Sequence, residues 1–95
     1  MTAGRDRILL AEQLRTALAD TGGLPARDID SIKVLIEAGE LGIALETLCT
    51  QLYEYDIEVT GEQRVRLEEL GQKLGVSAAY LLGDPWADAP DPDGD

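Results

Sequence analysis

The 95-residue sequence contains no histidine and no phenylalanine, a single cysteine, and only eight lysines and arginines together. Without histidine there is no His–metal site, no Ser–His triad and no imidazole base working near neutral pH. Cys49 alone can form neither an internal disulfide nor a thiolate zinc site. Aromatic residues make up 4% of the chain and hydrophobic residues 44%, so the core must be aliphatic: Leu, Ile, Val and Ala. A chain of this length builds one core and one small domain. Long apolar runs are missing too. Near the start the longest is ILLA at 8–11, too short for a signal-peptide core or a membrane span. These absences point to a cytoplasmic, non-secreted protein that is not an enzyme and carries no cofactor.

Basic residues are scarce and unevenly placed. Nineteen acids against eight bases give a net charge of −11. Residues 1–33 are balanced, with five of each sign. Residues 34–63 hold seven acids (Glu37, Glu40, Glu46, Glu54, Asp56, Glu58 and Glu62) and no base. Residues 64–83 set Arg64, Arg66 and Lys73 against Glu68 and Glu69, and residues 84–95 add five aspartates and no base. The imbalance therefore comes from two segments. Affinity for nucleic acid through its phosphates needs cations that release counterions, so this chain is poorly suited to it, and to anionic membranes.

The last segment, DPWADAPDPDGD, holds three of the four prolines and only Trp86 to bury. Such a composition cannot recover its ordering entropy, so residues 84–95 read as a flexible acidic tail following a domain at 1–83. Trp86 is the one residue there able to fold back onto that domain. Asp91, Asp93 and Asp95 resemble the opening of a calcium loop, but the glycine and glutamate that such a loop needs later do not appear.

What precedes the tail has helical periodicity throughout. A first helix over 6–20 carries Leu10, Ala11, Leu14, Ala17 and Leu18 on one stripe. A second, starting at Arg27 or Asp28 and ending near Ala38, has Ile29, Ile32, Leu35 and Ile36 as its apolar face. A third spans about 41–55, with Leu41, Ala44, Leu45, Leu48, Cys49 and Leu52 inward. Residues 56–59 read as a short extended link. Thr60 and Gln63 form a capping-box signature for a fourth helix reaching about Leu74, with Leu67, Leu70 and Leu74 buried. Gly75 stops it, Ser77 caps a short fifth helix, and no segment alternates like a strand for more than about four residues. The fold class is all-α: four helices plus a short C-terminal one.

Few residues offer chemistry. Cys49 falls on an apolar face with no cation nearby in sequence, the pattern of a core thiol. Glu68 and Glu69 are about 100° apart on a helix and form a solvated face. Glu54, Asp56 and Glu58 differ: alternating across a helix end and an extended link, they can present three carboxylates together, interleaved with Tyr53 and Tyr55. Anions at a helix C-terminus oppose the helix dipole, and no nearby base offsets them. Glu46, Thr50 and Tyr53 form an outward stripe that leads into this cluster. Tyrosines with carboxylates suit recognition of a basic protein surface. The other use of such a cluster, acid–base or metal-dependent catalysis, needs a pocket that a small aliphatic core leaves little room for.

Two resemblances follow from the motifs. Residues 64–85, RVRLEELGQKLGVSAAYLLGDP, are similar to the closing helices of lambda-repressor-type helix-turn-helix domains, where phrases such as LAxxLGVSxxYLLG are common. The DNA-reading helices of that family would fall on the acidic 34–63 segment, which the major groove would repel. Residues 35–75, LIEAGELGIALETLCTQLYEYDIEVTGEQRVRLEELGQKLG, resemble the MafI family of bacterial immunity proteins. In that family an EAGE helix end, a glycine turn, an ALExLCxxLYEYD helix and an ELGxxLG helix recur in this order. Here these are residues 37–40, 44–56 and 69–75.

The MafI resemblance implies a protein that neutralises the toxic domain of a secreted polymorphic toxin inside the producing cell. Many such toxins act on nucleic acid and carry basic clefts, which agrees with the charge distribution. The expected contact residues are Glu46, Tyr53, Glu54, Tyr55, Asp56 and Glu58, with Glu37 and Glu40 as outer members. Whether the toxin's active site is plugged or bound beside is left open, as is the oligomeric state. The alternative is a helix-turn-helix-type transcriptional regulator.

Overall fold

The computed structural model describes residues 3–83, with side chains from residue 6 onward. Five helices follow in order: α1 (Ala3–Asp20), α2 (Ala26–Glu37), α3 (Leu41–Glu54), α4 (Gly61–Leu74) and α5 (Ala78–Leu81). Among the described residues there is no strand. The expected all-α bundle is thus observed. The acidic tail, Trp86 and the spaced aspartates lie outside the described residues.

The core is the aliphatic one that the composition demands. Leu14, Ala17 and Leu18 of α1, Ile32 and Ile36 of α2, and Leu67 and Leu70 of α4 are buried around α3. From α3 itself come Leu41, Ala44, Leu45, Leu48, Cys49 and Leu52, and α5 adds Ala78. Leu10, Ala11, Ile29, Leu35 and Leu74, expected in the buried stripes, are only partly covered and pack at its edge. Every other helix touches α3, which makes it the central element. Burying a Leu or Ile side chain contributes about 1.5–3 kcal/mol, so this one face accounts for a large part of the driving force.

The helix ends show how the chain turns. Thr60 Oγ1 accepts from the Gln63 N–H (3.1 Å) and Gln63 Oε1 accepts from the Thr60 N–H (2.9 Å), the reciprocal box expected from the sequence. Gln63 also donates to the Asp20 carbonyl (2.8 Å), and the Arg66 guanidinium pairs with the Asp20 carboxylate. The box therefore ties α4 to the end of α1. Ser77 does stand before α5, but its hydroxyl makes no capping bond.

Three helices end in the same hydrogen-bonded hook, in which the chain reverses through a left-handed residue. Gly39 closes α2 at φ 81° and Gly75 closes α4 at φ 74°. At the end of α3 the left-handed residue is Asp56, at φ 55°. Its N–H donates to Tyr53 O (3.1 Å), and the next N–H, of Ile57, reaches back to Leu52 O (2.9 Å). The expectation of an extended link beginning at Asp56 is corrected here. The turn occupies Asp56, and the extended stretch starts at Ile57, where Ile57 and Val59 lean on the core and Glu58 is exposed.

After α4 the chain folds back tightly. A Cβ on Gly71 would lie 2.3 Å from the Val76 carbonyl oxygen, an approach that only glycine permits. Replacing Gly71 by Ala should destabilise the fold by about 1–3 kcal/mol despite alanine's better helix propensity. Thr60→Ala should cost about 1 kcal/mol by loss of the cap. Urea unfolding of both variants checks the order of the two effects.

Candidate functional site

The buried face of α3 determines what its opposite face displays. Ile43, Glu46, Thr50, Tyr53 and Glu54 all emerge on the solvent side. Tyr53 is 59% exposed and Tyr55 45%. Asp56, Glu58, Glu37 and Glu40 are exposed as well. Every residue expected in the contact surface is therefore accessible, but they do not form one cluster.

Tyr53 and Tyr55 are two residues apart, so they leave the helix end on opposite flanks. Tyr55 turns toward α2, where its hydroxyl donates to Asp28 Oδ2 (2.8 Å). Gln51, one turn earlier, donates to Asp28 Oδ1 (3.2 Å), so Asp28 clamps that flank of α3. Tyr53 turns toward α5, and its ring lies against Gly83. Glu54, Asp56 and Glu58 are all exposed. The left-handed turn at Asp56 breaks the alternation that would have aligned them, and no group of three acids or thiols with metal-holding geometry occurs among the described residues.

Glu37 and Glu40 have a different environment from the one their sequence neighbourhood suggests. They flank Gly39, whose carbonyl oxygen accepts from the Arg7 guanidinium of α1. A segment without a base in sequence thus receives one in space. At the end of α3 no ion pair does the same: its last turn has no basic residue, among the described residues no Lys or Arg pairs with Glu54, Asp56 or Glu58, and the positive charge of Arg27 is felt there at the Tyr55 hydroxyl.

Sequence reasoning missed Asp28, Gly83 and the two exposed aliphatics of α2 and α3. Val34 is 61% exposed on α2 and Ile43 50% exposed on α3. Their signal was available, because both fall outside the apolar stripes of their helices. Cys49 is fully buried and desolvation pushes its thiol up to about 12, the state of an unreactive core residue. Away from the acidic end, an open cleft of about 320 Å³ between α1 and α4 is lined by Glu12, Thr16, Arg66, Glu69 and Lys73. Its charges are mixed, and Arg66 is engaged by Asp20.

Among the described residues no helix is long and apolar enough to cross a membrane. Comparison with family models, curated proteins and solved structures gives no match to this chain.

Asp56 is unfavourable in two ways: a left-handed non-glycine backbone, and a negative charge at a helix C-terminus. Asp56→Gly should therefore raise the unfolding free energy by about 0.5–1 kcal/mol, read as a higher denaturation midpoint. The hydrogen bond to Asp28, with smaller contributions from desolvation and the Asp28 charge and against the opposing charge of Arg27, raises the Tyr55 phenol above its ordinary value. A proton held more tightly in the folded state stabilises it below about pH 10, and that contribution is lost as pH rises through the raised value. Asp28→Ala should shift one of the three tyrosine ionisations downward in an ultraviolet difference titration.

Proposed function

We propose that this chain is an immunity protein of the MafI type, a non-catalytic bundle that binds and neutralises a toxin domain in the cytoplasm of the producing cell. The carrying observation is the end of α3, where Asp56 stands in the left-handed position that glycine fills after α2 and α4, beside Glu54 and without a basic neighbour in the last turn. A carboxylate held where backbone and dipole both oppose it is accounted for by a partner that supplies the missing positive charge. The motif resemblance over 35–75 covers the same residues and supplies the kind of partner.

In this reading the contact centres on Glu46, Tyr53, Glu54, Asp56 and Glu58. Tyr55 is secondary, because its hydroxyl is already engaged by Asp28. Glu37 and Glu40 are outer members beside Arg7. The helix-turn-helix alternative has less support, since Arg64 pairs with Glu68 (3.2 Å) and Arg66 with Asp20, which spends cations that DNA phosphates would need.

The test is co-expression with the toxin domain encoded beside this gene. A one-to-one complex that protects the cell is expected, and replacing Glu54, Asp56 and Glu58 together by Ala should weaken it at least tenfold without loss of folding. Unchanged affinity and protection in the triple variant would sink the acidic-face reading. Absence of a complex, with retardation of DNA fragments at low salt, would favour the regulator.

A further inference from the structure

Tyr53 is held in an unusual way for so exposed a ring. A Cβ built on Gly83 would stand 2.5 Å from its Cε1 and 2.8 Å from its Cδ1, so one edge of the ring rests on bare backbone. Gly83 also adopts φ 99°, a conformation that L side chains rarely take. The backbone conformation favours glycine here, and a side chain in its place would push the Tyr53 ring aside. The ring is nonetheless 59% exposed, so it is pinned on one side and open on the other.

The exposed side of α3 itself carries acids and, in its last turn, no base. Glu46 and Thr50 precede Tyr53 along its own exposed stripe, and Glu54 follows it. A fixed aromatic surface beside carboxylates matches one cation better than the rest. A guanidinium is planar, stacks on an aromatic ring and pairs with a carboxylate through two parallel N–H groups. An ammonium is a strongly hydrated point charge that gains less from the ring. Because one edge of the ring already lies against Gly83, part of its freedom is restricted before a partner arrives.

We propose that Tyr53, positioned by Gly83 and flanked by Glu46 and Glu54, is an arginine-selective anchor, the place where a basic protein partner inserts an arginine side chain. The proposal rests on the partner being basic, as the preceding section reads it, but its test needs no toxin. Gly83 acts through Tyr53 and is a positioning residue.

The experiment is an NMR titration of the full chain with hexa-arginine and with hexa-lysine peptides at equal salt. Hexa-arginine should bind several-fold more tightly, with its largest shifts at the Tyr53 ring. Tyr53→Ala should bring its affinity down to that of hexa-lysine, whereas Tyr53→Phe, which keeps the ring, should retain the preference. Gly83→Ala should displace the ring and weaken the preference while the core resonances stay in place. Equal binding of the two peptides, shifts centred away from Tyr53, or a preference that survives Tyr53→Ala would overturn the anchor. Arginine selectivity without a toxin complex would leave the anchor standing and remove the immunity reading. A toxin complex indifferent to Tyr53→Ala would do the reverse.

Discussion

The burial of one face of α3 is the constraint on which the rest of the molecule depends. All four other helices pack on it, and its six buried residues include four leucines, none more than 3% exposed. A helix enclosed on one side has its opposite side defined with equal rigidity. The exposed row from Ile43 to Glu54 is therefore displayed on the best-supported element of the fold, which suits recognition better than a loop would.

Charge is distributed against stability at the ends of the helices. The first three end in carboxylates (Asp20, Glu37 and Glu54), and none has a base in its last turn. Tertiary structure answers two of them. Arg66 comes across from α4 to Asp20, and Arg7 comes from α1 to the turn after Glu37. The third end, with Asp56 added in a left-handed turn, is left to solvent. The protein forgoes an easy stabilisation there, and the proposed function rests on that local deficit.

Much of the architecture is legible in the sequence because its information is local. A period of 3.6 in aliphatic residues marks α1 to α4, and Thr60 with Gln63 marks a helix start that the structure reproduces bond for bond. Cys49 is as buried as its place in the α3 stripe implies. The parts that escaped are long-range or conformational. Nothing near Arg7 announces that it will reach Gly39, and nothing near Asp28 announces Gln51 and Tyr55. The left-handed turn at Asp56 has no sequence mark, because aspartate enters that region less often than glycine, although its short polar side chain allows it. The candidate site residues stand out in the sequence as acids without a base, interleaved with tyrosines. Their division into two flanks, with Tyr55 clamped to α2 and Tyr53 laid on Gly83, depends on a turn that composition does not reveal.

The central claim is that the unanswered negative charge at the end of α3 captures a positively charged protein. Its most direct test is the association rate of the chain with the proposed partner, a toxin domain encoded beside its gene, followed by stopped flow as sodium chloride is raised. Electrostatic capture predicts a rate that falls steeply with salt while the dissociation rate changes little, since screening acts on the approach more than on the docked pair. An association rate that stays flat across the same range would contradict it and return the acidic surface to the role of a solvated face.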